Sequence, residues 1–348
     1  MDNLSPSTVG RNRNYTSNDI SINISNYEKD GIHLFCGNSL DFYNTWEKPT
    51  VIISDGGYGI LGFKGDTANP SELPKWYEPH IEQWSLQALP STTLWFWNTE
   101  VGWASVHPIL EQYGWEYINC NFWNKGLGHI AGNVNTQSIR RFPVVTEVCV
   151  QYAYKPKING LSIQEWLISE WKRSKIPFNR ANIACGVVNA ATRKYFDKGH
   201  LWYFPPADMF EKISNYANEH GDKSGLPYFS KDGKKPISKN EWELMRYKFH
   251  CPQGFTNVWN RNALAGKERI KSPNGGIKSA HLNQKPLDLM KLIIEASSDE
   301  NDCIWEPFGG MFSACLASSL LHRRAYGAEI DQSYYSLALT RFTNLNQC

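Results

Sequence analysis

Two short apolar runs in this chain each end in an acid with glycines close behind, and that shared pattern constrains the fold more than any other feature. The first is Val51-Ile52-Ile53-Ser54-Asp55-Gly56-Gly57-Tyr58-Gly59, and the second is Ile304-Trp305-Glu306-Pro307-Phe308-Gly309-Gly310. An unbroken apolar run rich in β-branched residues reads as a strand that a parallel sheet hides on both faces. In an open α/β sheet, ligands sit at the carboxyl ends of the strands. Glycines at such an end let backbone approach a ligand without Cβ interference. The first run therefore presents a carboxylate and a flat ring at a crevice, and the second a glycine turn ahead of a helix N-terminus.

The rest of the chain supplies the alternation such a sheet needs. Strands are predicted near 32–35, 50–53, 92–97, 117–123, 144–152, 303–305 and 325–328. Helices are predicted over 78–89, 101–113, 285–296, 312–321 and 334–342. Strands alternating with helices imply a parallel α/β sheet. Residues 56–69 hold five glycines and read as a flexible loop able to close over a substrate. Residues 1–30 form a polar arm rich in Asn and Ser. From Lys155 the texture changes to polar helices, prolines and a Gly/Lys/Pro-rich run. We therefore expect one domain from 31–154 and 271–348, interrupted by a mainly helical insertion at 155–270.

Charge sharpens that division. Across 348 residues the net charge is only +2, but residues 155–270 carry 20 basic and 11 acidic side chains. Residues 1–154 carry 9 basic and 15 acidic, and residues 271–348 carry 7 and 8. A basic block of this size points to a polyanion partner. The 14 Trp and 17 Tyr favour flat stacking surfaces as well as core. No apolar run is long enough to span a bilayer, and the first thirty residues hold no signal-peptide core, so a cytoplasmic protein is expected. Eight scattered cysteines without a C-x-x-C pair read as free buried thiols, and no metal is assigned.

Nineteen residues past Gly310, at the tip of the next predicted strand, stands Glu329. An acid at about that distance from a glycine turn suits hydrogen bonding to a ribose diol. The turn lacks G-x-G-x-x-G, so a dinucleotide site is not expected.

Taken in order, these segments resemble the amino-group DNA methyltransferases, which use S-adenosylmethionine. Asp55-Gly56-Gly57-Tyr58 stands where that family has its Asp/Asn/Ser-Pro-Pro-Tyr/Phe tetrad. Glu306-Pro307-Phe308-Gly309-Gly310 resembles its Asp-Pro-Phe-x-Gly loop. His281-Leu282-Asn283-Gln284-Lys285-Pro286-Leu287 resembles the segment preceding that loop in the circularly permuted β group. Tyr326-Gly327-Ala328-Glu329-Ile330-Asp331 is similar to its Gly-x-Glu-x-Asp strand. The resemblance covers about two thirds of the chain and implies a Rossmann-like, circularly permuted S-adenosylmethionine-dependent sheet with an inserted target-recognition domain. It implies that Asp55 and the Gly56 carbonyl accept protons of an exocyclic base amine. Tyr58 would stack on a base flipped from double-stranded DNA. It further implies that Phe308, Gly309 and Gly310 lie against the methionine part of the cofactor, with Glu306 near its ammonium and Pro307 between them. Glu329 would hold the ribose, and Asn283, Gln284, Lys285 and Pro286 would contribute from the other side. Two departures stand out: the family's Pro-Pro is Gly56-Gly57 here, and the usual Ser-Gly-Thr after the loop phenylalanine is absent.

Within the basic block, residues 179–195 read as two short helices around Cys185-Gly186-Val187, similar to a helix-turn-helix. Asn189, Thr192 and Arg193 have the chemistry for base edges, and Lys194 for phosphate. An ordinary helical hairpin with a solvated basic face fits the same pattern. Arg140 and Arg141 are further candidates for phosphate contact. The expected activity is sequence-specific methylation of adenine N6 in a restriction-modification system, with a possible cognate restriction endonuclease acting on the same site. Ser54, directly before Asp55, keeps cytosine N4 open. A DNA-binding protein on an inactive scaffold is the alternative that Gly56-Gly57 suggests.

Overall fold

Val51, Ile52 and Ile53 are all buried, and so is every residue of Thr93–Asn98, so both segments are interior strands of a central sheet. The structure is a computed structural model, and it describes residues 26–61, 65–129, 139–270 and 284–344. The strands are β1 (Tyr27–Lys29), β2 (Ile32–Cys36), β3 (Val51–Ser54), β4 (Thr93–Asn98), β5 (Trp115–Asn124), β6 (Thr146–Tyr154), β7 (Lys157–Ile158), β8 (Leu161–Ser162), β9 (Val258–Asn260), β10 (Cys303–Glu306) and β11 (Arg324–Glu329). The helices are α1 (Leu73–Gln87), α2 (Glu100–Gln112), α3 (Ile163–Arg173), α4 (Arg180–Cys185), α5 (Ala190–Lys194), α6 (Ala207–His220), α7 (Lys239–Glu243), α8 (Leu287–Ser297), α9 (Ser313–Leu320) and α10 (Gln332–Asn344).

The described strands form a nine-stranded sheet in the order β1-β2-β11-β10-β3-β4-β6-β5-β9, with β7 and β8 paired apart from it. From β2 to β4 the neighbours run parallel. Alternate residues of the strands face opposite layers. Val51, Ile53, Trp95 and Trp97 pack with α8, α9 and α10, while Ile52, Leu94 and Phe96 pack with α1 and α2. Helix α8 meets the sheet through Leu289, Met290, Ile293 and Ile294, which recur at helical spacing.

The sheet departs from the expected parallel arrangement at β1, antiparallel to β2, and at β6, which lies antiparallel between β4 and β5. A parallel pairing of successive strands needs a crossover, usually helical. The described residues between β5 and β6 contain one short 3-10 turn and no α-helix. The consequence is functional: β6 begins at the edge of the sheet where β3, β4 and β10 end.

Strands β10 and β3 are parallel neighbours although they lie far apart in the chain. From β10 the chain passes through α9 to β11 on one side, and from β3 through α1 to β4 on the other. The crevice between their carboxyl ends is the switch point at which open α/β sheets bind ligands.

The helices of the predicted insertion have their own core, from Ile158 to Met245, with Trp166, Trp171, Phe210 and Trp242 wholly or nearly wholly buried. Phe210 and Trp242 stack at 3.9 Å between ring centroids. The expected limit at 270 falls too late. Strand β9 pairs with β5, and Trp259 joins the core of the main sheet. Short polar sequence around Val258–Asn260 carries too little periodicity to announce an edge strand. Of the predicted arm at 1–30, Tyr27–Lys29 is a strand paired with β2, and residues 1–25 lie outside the described residues.

Candidate active site at the sheet switch point

Asp55 leaves β3 at the switch point with its side chain 18% exposed. Its Oδ1 accepts from Lys285 Nζ at 2.6 Å and from the Tyr58 hydroxyl at 2.7 Å. Lys285 is only 4% exposed, and its Nζ also reaches Glu147 Oε1 at 2.9 Å and the Tyr58 oxygen at 3.0 Å. Glu147, second residue of β6, in turn pairs through Oε2 with Lys125 Nζ at 2.7 Å, and the Tyr58 hydroxyl lies against its Oε1. Two cations thus face two carboxylates in a buried cluster.

Burial opposes charge on both Lys285 and Glu147, but their partners outweigh it. Asp55 and Glu147 push the Lys285 ammonium up to about 12. Lys285 and Lys125 pull the Glu147 carboxyl down to about 2. Burial, then the charges of Asp55 and Glu147, push the Tyr58 phenol well above its ordinary range, so it remains a neutral donor.

Gly56 and Gly57 are fixed by neighbours. A Cβ on Gly56 would lie 2.7 Å from Tyr77 Oη and 2.8 Å from the Phe308 ring, so a side chain does not fit. The Gly57 carbonyl accepts from Tyr77 Oη at 3.0 Å and Asn98 Nδ2 at 2.8 Å. Beyond it the backbone amides of Tyr58, Gly59, Ile60 and Thr67 all donate to the Asp66 carboxylate, at 2.8–3.2 Å. The described ends of the loop predicted to be flexible are therefore gathered onto one buried side chain.

On the β10 side, the Glu306 carboxylate accepts from the amides of Ala314 and Cys315 at 3.0 and 2.7 Å, at the start of α9. Burial pushes Glu306 up to about 7 in spite of those amides. Gly309 leaves room for the Phe312 ring, which a Cβ would approach to 2.2 Å, and Gly310 has φ +51°. Glu329 accepts from Gly310 N at 2.6 Å and Asp331 N at 2.7 Å. Phe308 packs with Trp76 and His80 at centroid distances of 5.3 and 4.9 Å. Arg341 of α10 donates to the Met311 carbonyl and braces the loop from behind.

Both halves open into one cavity of about 1130 Å³, lined by Asp55, Gly56, Tyr58, Lys285, the 306–310 loop and Glu329, and by residues 37–40 after β2. The structure brings together most of the residues predicted from sequence, but it places several differently. Lys285 is the partner of Asp55. Gln284 lines the cavity while its amide group is tied to Ile270 N and the Glu268 carbonyl. Pro286 starts α8, and Asn283 lies outside the described residues. Tyr58 borders the cavity but is 6% exposed, its hydroxyl turned into the ion cluster. Sequence reading missed Glu147, Lys125 and Asp66. The one available signal was Glu147 itself, an acid heading the apolar run Val148-Cys149-Val150.

Far from this cavity in sequence, α4 and α5 flank Gly186 at φ +68°, as the turn predicted. Helix α5 is five residues long, too short to lie along a major groove as a recognition helix. The Thr192 hydroxyl is bound to Asn182 and the Asn189 carbonyl, so it ties α4 to α5. Asn189, Arg193, Lys194, Arg140 and Arg141 are exposed.

An open, mainly parallel sheet with acid-and-glycine turns at its switch point defines the doubly wound α/β class that binds a ligand across adjacent strand ends. Residues 42–340 match the DNA methylase family model of N6 and N4 methyltransferases, and the chain belongs to that family. It is 36% identical over 89 residues to Type II methyltransferase M.HinfI of Haemophilus influenzae, covering 26% of this chain and 24% of the relative. It is 33% identical over 185 residues to Type II methyltransferase M.HindIII of Haemophilus influenzae, covering 53% of this chain and 56% of the relative. The chain thus spans about half or less of the curated relatives it matches. The structure of PvuII DNA methyltransferase (cytosine-N4-specific) superposes with a TM-score of 0.50 at 12% identity, covering 90% of this chain and 86% of that one, which supports the fold.

Proposed function

We propose that this protein transfers a methyl group from S-adenosylmethionine to the exocyclic amine of a base flipped out of double-stranded DNA. We assign adenine N6 as the acceptor and a restriction-modification system as the setting, with a cognate endonuclease as the partner. The observation that carries this is the single cavity onto which Asp55 and the 306–310 loop both open. The residues suit the cofactor. Glu329 lines the cavity and accepts from the amides of Gly310, Asp331 and Ile330, and the rest of its carboxylate's roughly four acceptor sites suits a ribose hydroxyl. The 308–310 loop presents backbone and a ring to the methionine part, and Glu306 stands behind it. When bound, S-adenosylmethionine supplies an electrophilic methyl group.

The protein's own work is to make the amine nucleophilic. A base amine has its lone pair delocalised into the ring, and acceptors on its two protons draw nitrogen toward tetrahedral geometry. Asp55 Oδ1 is occupied by Lys285 and Tyr58, and among the described residues nothing donates to Oδ2, which is left for one proton. The Gly57 carbonyl is committed to Tyr77 and Asn98, which leaves that of Gly56 for the other. Tyr77, Asn98 and Asp66 supply the preorganisation that prolines would otherwise give. That argues against an inactive scaffold. Ser54 is wholly buried within β3 while Asp55 lines the cavity, which favours adenine over cytosine N4. The exposed Arg193 and Lys194, with the basic helical unit around them, suit phosphate contact. The test is transfer of tritium from labelled S-adenosylmethionine to plasmid DNA, followed by digestion to nucleosides. N6-methyladenine is the expected product; no label in DNA would overturn the proposal.

A further inference from the structure

Among the described large apolar side chains, Phe142 is the most exposed, at 95%. It follows Arg140 and Arg141, both exposed, and precedes Pro143. The segment is held at its base, where Lys125 N donates to the Val145 carbonyl at 2.8 Å. Across that base Leu127 is a second exposed apolar side chain, at 78%. The place of this projection matters. Because β6 runs antiparallel to β4, its first residues lie at the edge where β3 and β10 deliver the site, and Glu147 contacts Lys285 there. Five residues of extended chain reach at most about 17 Å, so Phe142 lies within that distance of Glu147, on the side of the sheet where the strands deliver the site.

A base that enters the cavity leaves a gap in the duplex whose neighbours have lost their stacking partner. Proteins that distort DNA fill such gaps with apolar wedges, and phosphates on either side are met by Arg. Given the duplex methylation proposed above, we infer that Phe142 inserts into the stack vacated by the target base, with Arg140 and Arg141 on the flanking phosphates. The ring is a positioning residue, since it touches neither the methyl group nor the amine. It acts on the opening of the base pair, which costs a few kcal/mol for a paired base and much less for one already unstacked.

The experiment compares wild type, Phe142→Ala and Phe142→Trp on two duplexes carrying the methylated site. One is fully paired, and the other has an abasic position opposite the target adenine. Phe142→Ala should lower kcat/KM on the paired duplex roughly ten- to a hundredfold, with under twofold change on the abasic one, and Phe142→Trp should restore most of the loss. With 2-aminopurine at the target position, the fluorescence rise on binding should shrink for Phe142→Ala on the paired duplex. S-adenosylmethionine affinity should not move. Equal losses on both duplexes, or none on the paired one, would overturn the wedge while leaving the methyltransferase reading standing. A wild type that labels no DNA would overturn both.

Discussion

Lys285 Nζ lies 2.6 Å from Asp55 Oδ1, across 230 residues of chain and with almost no access to water. The pair fixes which carboxylate oxygen faces the cavity, so Asp55 is held by the protein on one side and free on the other. Asp55→Ala should therefore abolish methyl transfer, by at least about a thousandfold, while S-adenosylmethionine binding stays within a few fold. Tritium incorporation and calorimetry check the two halves. Retained transfer would remove Asp55 from the chemistry.

Removing Lys285 leaves Asp55 and Glu147 facing each other with only Lys125 to balance them. Breaking a buried ion pair from one side costs roughly 3–5 kcal/mol. Lys285→Met should lower stability by that order, and Lys285→Met with Glu147→Gln should recover part of it. Urea unfolding of the single and double variants measures the coupling.

Two carboxyls give stability separate pH windows. Glu306 titrates higher in the fold, at about 7, so its contribution is present below the ordinary Glu range near 4.5 and is lost as pH rises to 7. Glu147 titrates lower, at about 2, so its contribution is present above 4.5 and is lost as pH falls toward 2. Unfolding free energy should fall between pH 4.5 and 7 by on the order of 3 kcal/mol from Glu306, and Glu306→Gln should flatten that slope. Denaturant titrations at half-unit pH steps check it.

Asp66 gathers four loop amides, and its loss should free the loop without unseating the sheet. Asp66→Ala is expected to lower kcat at least tenfold with little change in cofactor affinity. Gly56→Ala should be worse, since its methyl group meets both Tyr77 and Phe308, and Tyr77→Phe in the same chain should not rescue it because Phe308 remains. Steady-state kinetics with both substrates separate these cases.

On the helical unit, Arg193→Ala and Lys194→Ala should each weaken DNA binding across sequences and reduce the salt slope by about one. Thr192→Ala should instead loosen α4 from α5 and lower thermal stability, with the salt slope unchanged. Fluorescence anisotropy over a salt series distinguishes them.

Both halves of the site were legible because each depends on local order: an apolar run, an acid, then glycine. Asp55, Glu306, Gly309 and Gly310 all come from that grammar, and Glu329 from its distance to the glycine turn. What joins the halves was not legible. Lys285 reads as a cofactor contact by its neighbours in sequence, and only the fold carries it to Asp55. Glu147 looks like an ordinary strand-end acid, because nothing in sequence says that β6 turns back antiparallel and brings its first residues to the switch point. Asp66 sits in a glycine-rich stretch that reads as loose, whereas its carboxylate is the reason that stretch has a fixed shape. The five-residue α5 shows the opposite limit, where a recognisable motif supplies a turn without the length its expected role requires.

The close approach of Gly56 to Phe308 has a thermodynamic consequence. The loop after β3 and the loop after β10, proposed to face the base and the cofactor, meet through a contact that leaves no slack for a methyl group. On that assignment, a shift of Phe308 when one ligand binds would reach Gly56 before the other arrives. The two affinities then share a coupling term, and by linkage whatever factor the first ligand imposes on the second is returned in equal measure.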